Sequence, residues 1–166
     1  MVSRLFRHLF MPPWLLGKHF PRSLLGEIEA AIRDSETRHS GEIRFAVETA
    51  LPLGALWKGM RGRDAAIEAF ANLRVWDTEN NSGVLIYLLL ADHDLEIVAD
   101  RGIAEKVDQA EWDDIARHME QHYRTGDFRE GSLEGIRRVT ELLARHFPPG
   151  THNPDELSNQ PVLLKR

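Results

Sequence analysis

Residues 89–102 read LLADHDLEIVADRG, where one apolar run ends in Asp92, His93 and Asp94 and the next ends in Asp100 and Arg101. A hard divalent cation, Ca2+ or Mg2+, prefers several carboxylate and carbonyl oxygens at one locus. Asp92 and Asp94 could supply two of them, with Glu48, which ends an earlier apolar stretch, as a third. His93 lies between two acids that would raise its pKa and let it serve as a proton donor. Tight hairpins also favour Asp, which tolerates unusual backbone angles and keeps a turn tip wet. The tip is therefore either a cation site or turn chemistry.

Other residues could do chemistry with less to recommend them. Asp100 and Arg101 read as an ion pair or as the helix cap of IAEKVDQ before they read as a site. Asp77, Glu79 and Asn81 alternate as ligands of a calcium loop do, but the glycine and the distal Glu of such a loop are missing. Asp127 follows Gly126 in a turn and stands near the start of the next helix. Glu111, Asp113, Asp114 and Glu120 read as a solvated helix face.

Composition narrows the chemistry. The 166 residues, 42% hydrophobic and 28% charged, suit one globular domain with its own core. Cysteine is absent, which excludes disulfides, thiol catalysis and thiolate metal sites. No apolar run reaches 18 residues, so no membrane-spanning helix is expected. The first 26 residues carry Arg4, Arg7, Lys18 and Arg22 and no acid, leaving the rest with 17 basic against 26 acidic residues, a net charge of −9. An acidic body disfavours nucleic acid as a partner and suits divalent cations.

Residues 1–21 form a basic and apolar segment in which Arg7, His8 and Pro12-Pro13 interrupt the apolar region, so it reads as uncleaved. It suits docking on the domain itself, on a protein partner or on an anionic membrane surface. Residues 22–147 hold the periodic elements. Helices are expected from about Arg22 to Arg38, after Asp64, from Gln109 to Arg124 and from Ser132 to Phe147. Strands are expected at 42–49, with one better-buried face, at 83–91 in the middle of the sheet, and at 95–100. Residues 148–166, rich in Pro and Asn, are expected to form a mobile tail.

The order of these elements implies an α/β fold, a three-layer α/β/α sandwich with a small mixed sheet. The first two strands are joined through a helix and should be parallel, whereas the short connection at 92–94 can only make an antiparallel hairpin. Glu48 and Asp92 to Asp94 then share the carboxyl edge, where ligands of open α/β sheets bind. Asp77, Asn81, Asp100 and Arg101 gather at the opposite edge.

The run FANLRVWDTENNSGVLIYLLLADHDLEIVADRGI, followed by YRTGDFREGSLEGI, resembles the TPM domain family from about Ser23 to Phe147. The resemblance implies an α/β/α sandwich and, in some members, acid phosphatase activity or calcium binding. Asp92 and Gly102 match the family pattern. The usual Asp-Arg at the hairpin tip is here Asp92-His93, the usual Gly-Tyr-Gly-Leu is Asp100-Arg101-Gly102-Ile103, and the family's N-terminal acidic turn is replaced by the segment ending at Pro21.

A phosphatase without cysteine needs a metal-activated water or an Asp or His nucleophile, and a cation to meet the phosphate. Arg101 is the nearest cation in sequence, yet a seven-residue strand puts it roughly 20 Å from Asp92. The sequence thus predicts a noncatalytic module that binds a divalent cation or a protein partner. A metal-dependent acid phosphatase and a peripheral membrane protein are the alternatives, in the cytoplasm or at a membrane.

Overall fold

The computed structural model describes residues 2–164. Two short helices, α1 (Val2–Leu9) and α2 (Pro13–His19), precede α3 (Arg22–Ser35). Pro13 opens the second, because proline fixes the first-turn φ where no N–H bond is lost, and Pro21 precedes the third as its N-cap in an extended conformation. Strand β1 (Glu42–Glu48) follows, then α4 (Leu53–Trp57) and α5 (Gly62–Asn72). Asp64 caps α5 from its third helical position by accepting the Arg61 N–H at 2.9 Å, so the helix begins earlier than the sequence predicts.

Strand β2 (Gly83–Leu89) runs parallel to β1, Glu42 opposite Gly83 and Glu48 opposite Leu89. A 3-10 turn, Leu90–Asp92, then reverses the chain into β3 (Asp94–Ala99), antiparallel to β2. Helices α6 (Arg101–Ala104), α7 (Gln109–Arg124) and α8 (Phe128–His146) complete the body. The fold is the expected mixed α/β sandwich. Helices α3, α7 and α8, with Leu16 and Phe20 at α2, bury Ile43, Phe45, Val84, Ile86 and Leu88 on one face of the sheet. The smaller opposite layer buries Ala46, Leu85, Tyr87 and Leu89 under Ala65, Ala66 and Ala69 of α5.

The C-terminal segment departs from the expected mobile tail. Val162–Leu164 form β4, which pairs in parallel with β1 and sets the strand order β3-β2-β1-β4. Leu163 packs on one core, and Val162 and Leu164 on the other. Three apolar residues are too few to show a period in sequence, but alternate side chains fill both sides of an open sheet edge. Arg44 holds the approach to β4 through the Ser158 and Gln160 carbonyls. β1 is consequently buried on both faces, not one.

Gly83 starts β2 where the chain passes the Val75 backbone. A Cβ there would stand 2.0 Å from the Val75 carbonyl oxygen, which cannot swing aside as a side chain tip can. Gly83→Ala should therefore cost about 1–3 kcal/mol in chemical denaturation, the range of overpacking. Gly17→Ala in α2, with open space around the site, should leave stability unchanged or raise it by less than about 1 kcal/mol.

Candidate functional site

Register puts Glu48, Leu89 and Asp94 side by side across three strands, with Asp92 in the turn above them. The predicted carboxyl-edge cluster is thus assembled by the backbone, but its three acids find separate partners. Glu48 is buried, and its carboxylate accepts the Tyr87 hydroxyl on the face packed against α5. Asp94 lies against the first turn of α5, where the space beside the Gly62 Cα is filled by its carboxylate.

Asp92 is claimed by α1. Its Oδ2 accepts from Arg4 Nε at 2.8 Å, its Oδ1 accepts from an Arg7 guanidinium nitrogen at 2.9 Å, and His8 Nε2 stands 3.1 Å from Oδ2. Burial pushes this carboxyl up, but the Arg4 and His8 contacts outweigh it and hold the pKa below its ordinary value. Two further bonds tie the same helix to the loop after β1: His8 Nδ1 accepts the Leu51 N–H at 2.9 Å, and Arg4 donates to the Met60 carbonyl at 2.8 Å. An acid holding two guanidinium groups has little left to offer a divalent cation.

Asp92, His93 and Asp94 do share an open cleft of about 520 Å³, lined also by Arg4, Arg7, Arg61, Glu120 and Arg124. The positive φ of the hairpin falls on His93, at 51°, and not on either Asp. Its pKa is lowered, not raised: burial comes first, then the charges of Arg7 and Arg124, which outweigh Asp92. Asp94 is raised by burial and by its neighbours Glu120 and Asp92. Glu120 is no solvated acid, for its Oε1 accepts the Leu95 N–H at 3.2 Å and its Oε2 an Arg124 guanidinium nitrogen at 3.0 Å. The cations that sequence reasoning sought in Arg101 are supplied here by α1, by Arg61 at the N-cap of α5 and by α7.

The remaining candidates serve local structure. Asp100 caps α6, accepting the Arg101 N–H at 2.7 Å, while the Arg101 guanidinium lies 3.5 Å from Asn81 Oδ1 at the opposite edge. Asp77 pairs with Arg74 at 2.6 Å, and Asn81 takes a φ of 51° in the turn before β2. Asp127 caps α8 through the Glu130 N–H and faces His122 Nδ1 at 3.6 Å.

A group of acids that sequence reasoning missed gathers at the amino edge of β1. Glu36 closes α3, Glu42 begins β1 and Asp155 belongs to the segment before β4. One carboxylate oxygen from each lies within 4.8 Å of the other two. Burial, then the charges of Glu42 and Asp155, push the Glu36 carboxyl up to about 8. Burial lifts Glu42 to about 7 against the Leu157 N–H that its carboxylate accepts. Glu36 and Glu42 flank the visible turn at Gly41, but Asp155 joins them only because the tail returns.

Two outcomes follow from these contacts. Asp92→Asn removes the charge that Arg4 and Arg7 share and should release α1 at a cost of about 3 kcal/mol. Hydrogen exchange would show protection lost over residues 2–10 and retained in β1 and β2. In metal-free buffer the raised carboxyls of Glu36 and Glu42 favour folding only while protonated. That contribution is complete below the ordinary value near 4.5 and is lost as pH rises through about 7 and 8. Thermal melts should therefore show a fall in stability from pH 5 to pH 8 that Glu36→Gln makes shallower.

The TPM domain model matches residues 19–142. The BA42 protein of the psychrophilic bacterium Bizionia argentinensis, solved by NMR, is 31% identical, with a TM-score of 0.75 over 85% of this chain and 92% of that one. The N-terminal domain of a P. gingivalis protein shares the fold at 21% identity, with a TM-score of 0.59 over 79% of this chain and 82% of that one. No curated protein matches. With three quarters of its length under the family model and the sheet and helix layers in place, the chain belongs to the TPM domain family.

Proposed function

We propose that this TPM domain is a noncatalytic interaction module that docks on an anionic membrane surface through α1, α2 and α4. The observation that carries the reading is a set of large apolar side chains left in solvent on these helices. Phe6, Leu9 and Phe10 project from α1 and the residue after it, Trp14 from α2, and Leu53 and Trp57 from α4, with Trp14 and Trp57 65% and 75% exposed. Phe6 and Phe10 stack at 5.7 Å. The contacts of Arg4 and His8 hold α1 on the 51–60 loop, so α1 and α4 present their apolar residues together.

Charge complementarity favours lipid over an acid-bearing protein groove. Residues 2–26 and 49–63 contain seven Lys or Arg and no acid; Arg4 and Arg7 pair with Asp92 and Arg63 with Glu96, which leaves the exposed Lys18, Arg22, Lys58 and Arg61 to meet anionic headgroups. Tryptophan beside Lys and Arg is the composition of segments that lie in a membrane interface. No described helix is long and apolar enough to cross a membrane, so the contact would be peripheral. The phosphatase reading draws some support from the Arg-lined cleft around Asp92, but the acid it would need for a metal is committed to Arg4 and Arg7.

Vesicle flotation tests the reading. The full chain should bind vesicles with about a third anionic lipid at least about tenfold more tightly than neutral ones, and added salt should weaken the binding. Trp57→Ser and Phe10→Ser should abolish it while leaving the fold intact. Equal affinity for neutral vesicles, or none for either, would return the surface to a protein partner. Metal-dependent turnover of a generic phosphate ester that Asp92→Asn abolishes would overturn the noncatalytic part.

A further inference from the structure

The acids at the other edge of the sheet carry a separate inference. We propose that Glu36, Glu42, Asp155 and Asn159 form a calcium site that fastens the C-terminal segment to the amino edge of the sheet. Acids alone often cluster on a protein surface and stay solvated. Glu36 and Glu42, however, are 9% and 2% exposed, and Glu36 Oε1 is buried with no hydrogen-bond partner. Asn159 is 8% exposed, and its Oδ1 is likewise buried and unpartnered. Its amide nitrogen donates to Asp155 Oδ2 at 3.3 Å, which brings that free oxygen to the same cleft.

Glu36 Oε1 and Asn159 Oδ1 are left as buried acceptors with no donor at hydrogen-bond distance, and no cationic side chain lining the cleft balances the three carboxylates. Arg33 is the one basic residue lining the cleft among those described, and its guanidinium is turned to Glu29 at 2.7 Å. The donor set is all oxygen, three carboxylates and an amide carbonyl, which selects a hard ion and excludes zinc- or copper-type preferences. The cleft, about 380 Å³ and open to water, suits the six to eight irregularly placed oxygens of Ca2+ better than the strict octahedron of Mg2+.

The placement gives the ion a structural task. Asn153 Nδ2 already donates to the Glu36 and His39 carbonyls at 2.9 and 3.1 Å, and the Leu157 N–H reaches Glu42 at 3.1 Å. A cation shared by α3, β1 and residues 155 and 159 adds ionic bonds to this seam just before β4 enters the sheet. Occupancy would then set how firmly β4 covers the β1 edge.

A backbone NMR titration of the chelator-treated full chain with calcium chloride tests the site, with Asp155→Asn as the variant because Asp155 is exposed. Saturable shifts confined to residues 36–42 and 153–159 are expected at about millimolar calcium or below. Asp155→Asn should weaken binding at least about tenfold, and magnesium should bind less tightly. Calcium should also slow amide exchange at residues 162–164 in the native chain. Glu36→Gln, read the same way, is the second variant. No saturable shifts at these residues up to about 10 mM calcium would overturn the assignment. So would shifts that both variants leave unchanged, or shifts centred on Asp92 to Asp94.

Discussion

The parallel register of β1 against β2 is the constraint on which the rest of this molecule depends. Pairing Glu42 with Gly83 and Glu48 with Leu89 leaves both strands buried on both faces and divides the polar residues between two ends of the sheet. A slip of one residue would turn Ile43, Phe45 and Val47 away from the core built by α3, α7 and α8. The carboxyl edge, with Asp92 and its arginines, and the amino edge, with Glu36 and Glu42, are both products of that register. Their functions can therefore be separate, because a seven-residue strand stands between them.

At the carboxyl edge the N-terminal segment decides the chemistry. Arg4 and Arg7 arrive there with α1 and pair with Asp92, with His8 beside them. Two guanidinium groups favour the ionised carboxylate but leave it occupied. The same helix carries Phe6, Leu9 and Phe10 outward, so a single docking event closes one site and displays a surface.

At the amino edge the C-terminal segment plays the matching part. Without it β1 would present an open edge, and Glu36 and Glu42 would face water. With it, β4 covers the strand, Arg44 grips the incoming carbonyls, and three carboxylates are brought into a space with little to balance them. Burying acids this closely raises their pKa values and weakens the seam at neutral pH unless a cation joins them. Calcium at the proposed site would therefore link occupancy to stability at this edge.

The body of the fold was legible in the sequence because its elements are long and periodic. The stripes of α3, α7 and α8, the unbroken apolar run of β2 and the short hairpin at 92–94 each announce themselves, and the crossover rule then supplies the parallel pair. Glu48, Asp92 and Asp94 were placed correctly on one edge by the same logic. What the sequence could not decide was the partner of each acid. Arg4 and Asp92 are 88 residues apart and Glu36 and Asp155 more than a hundred, and no local period encodes such meetings. The helices of residues 2–19 are too short for a period to stand out, and the VLL of β4 is shorter still; both acquire their structure from the surfaces they cover. The sequence by itself determined the layers and the sheet, since local pattern and core burial agree there. Only the tertiary structure decided which charges meet, because that depends on where the two ends of the chain come to rest.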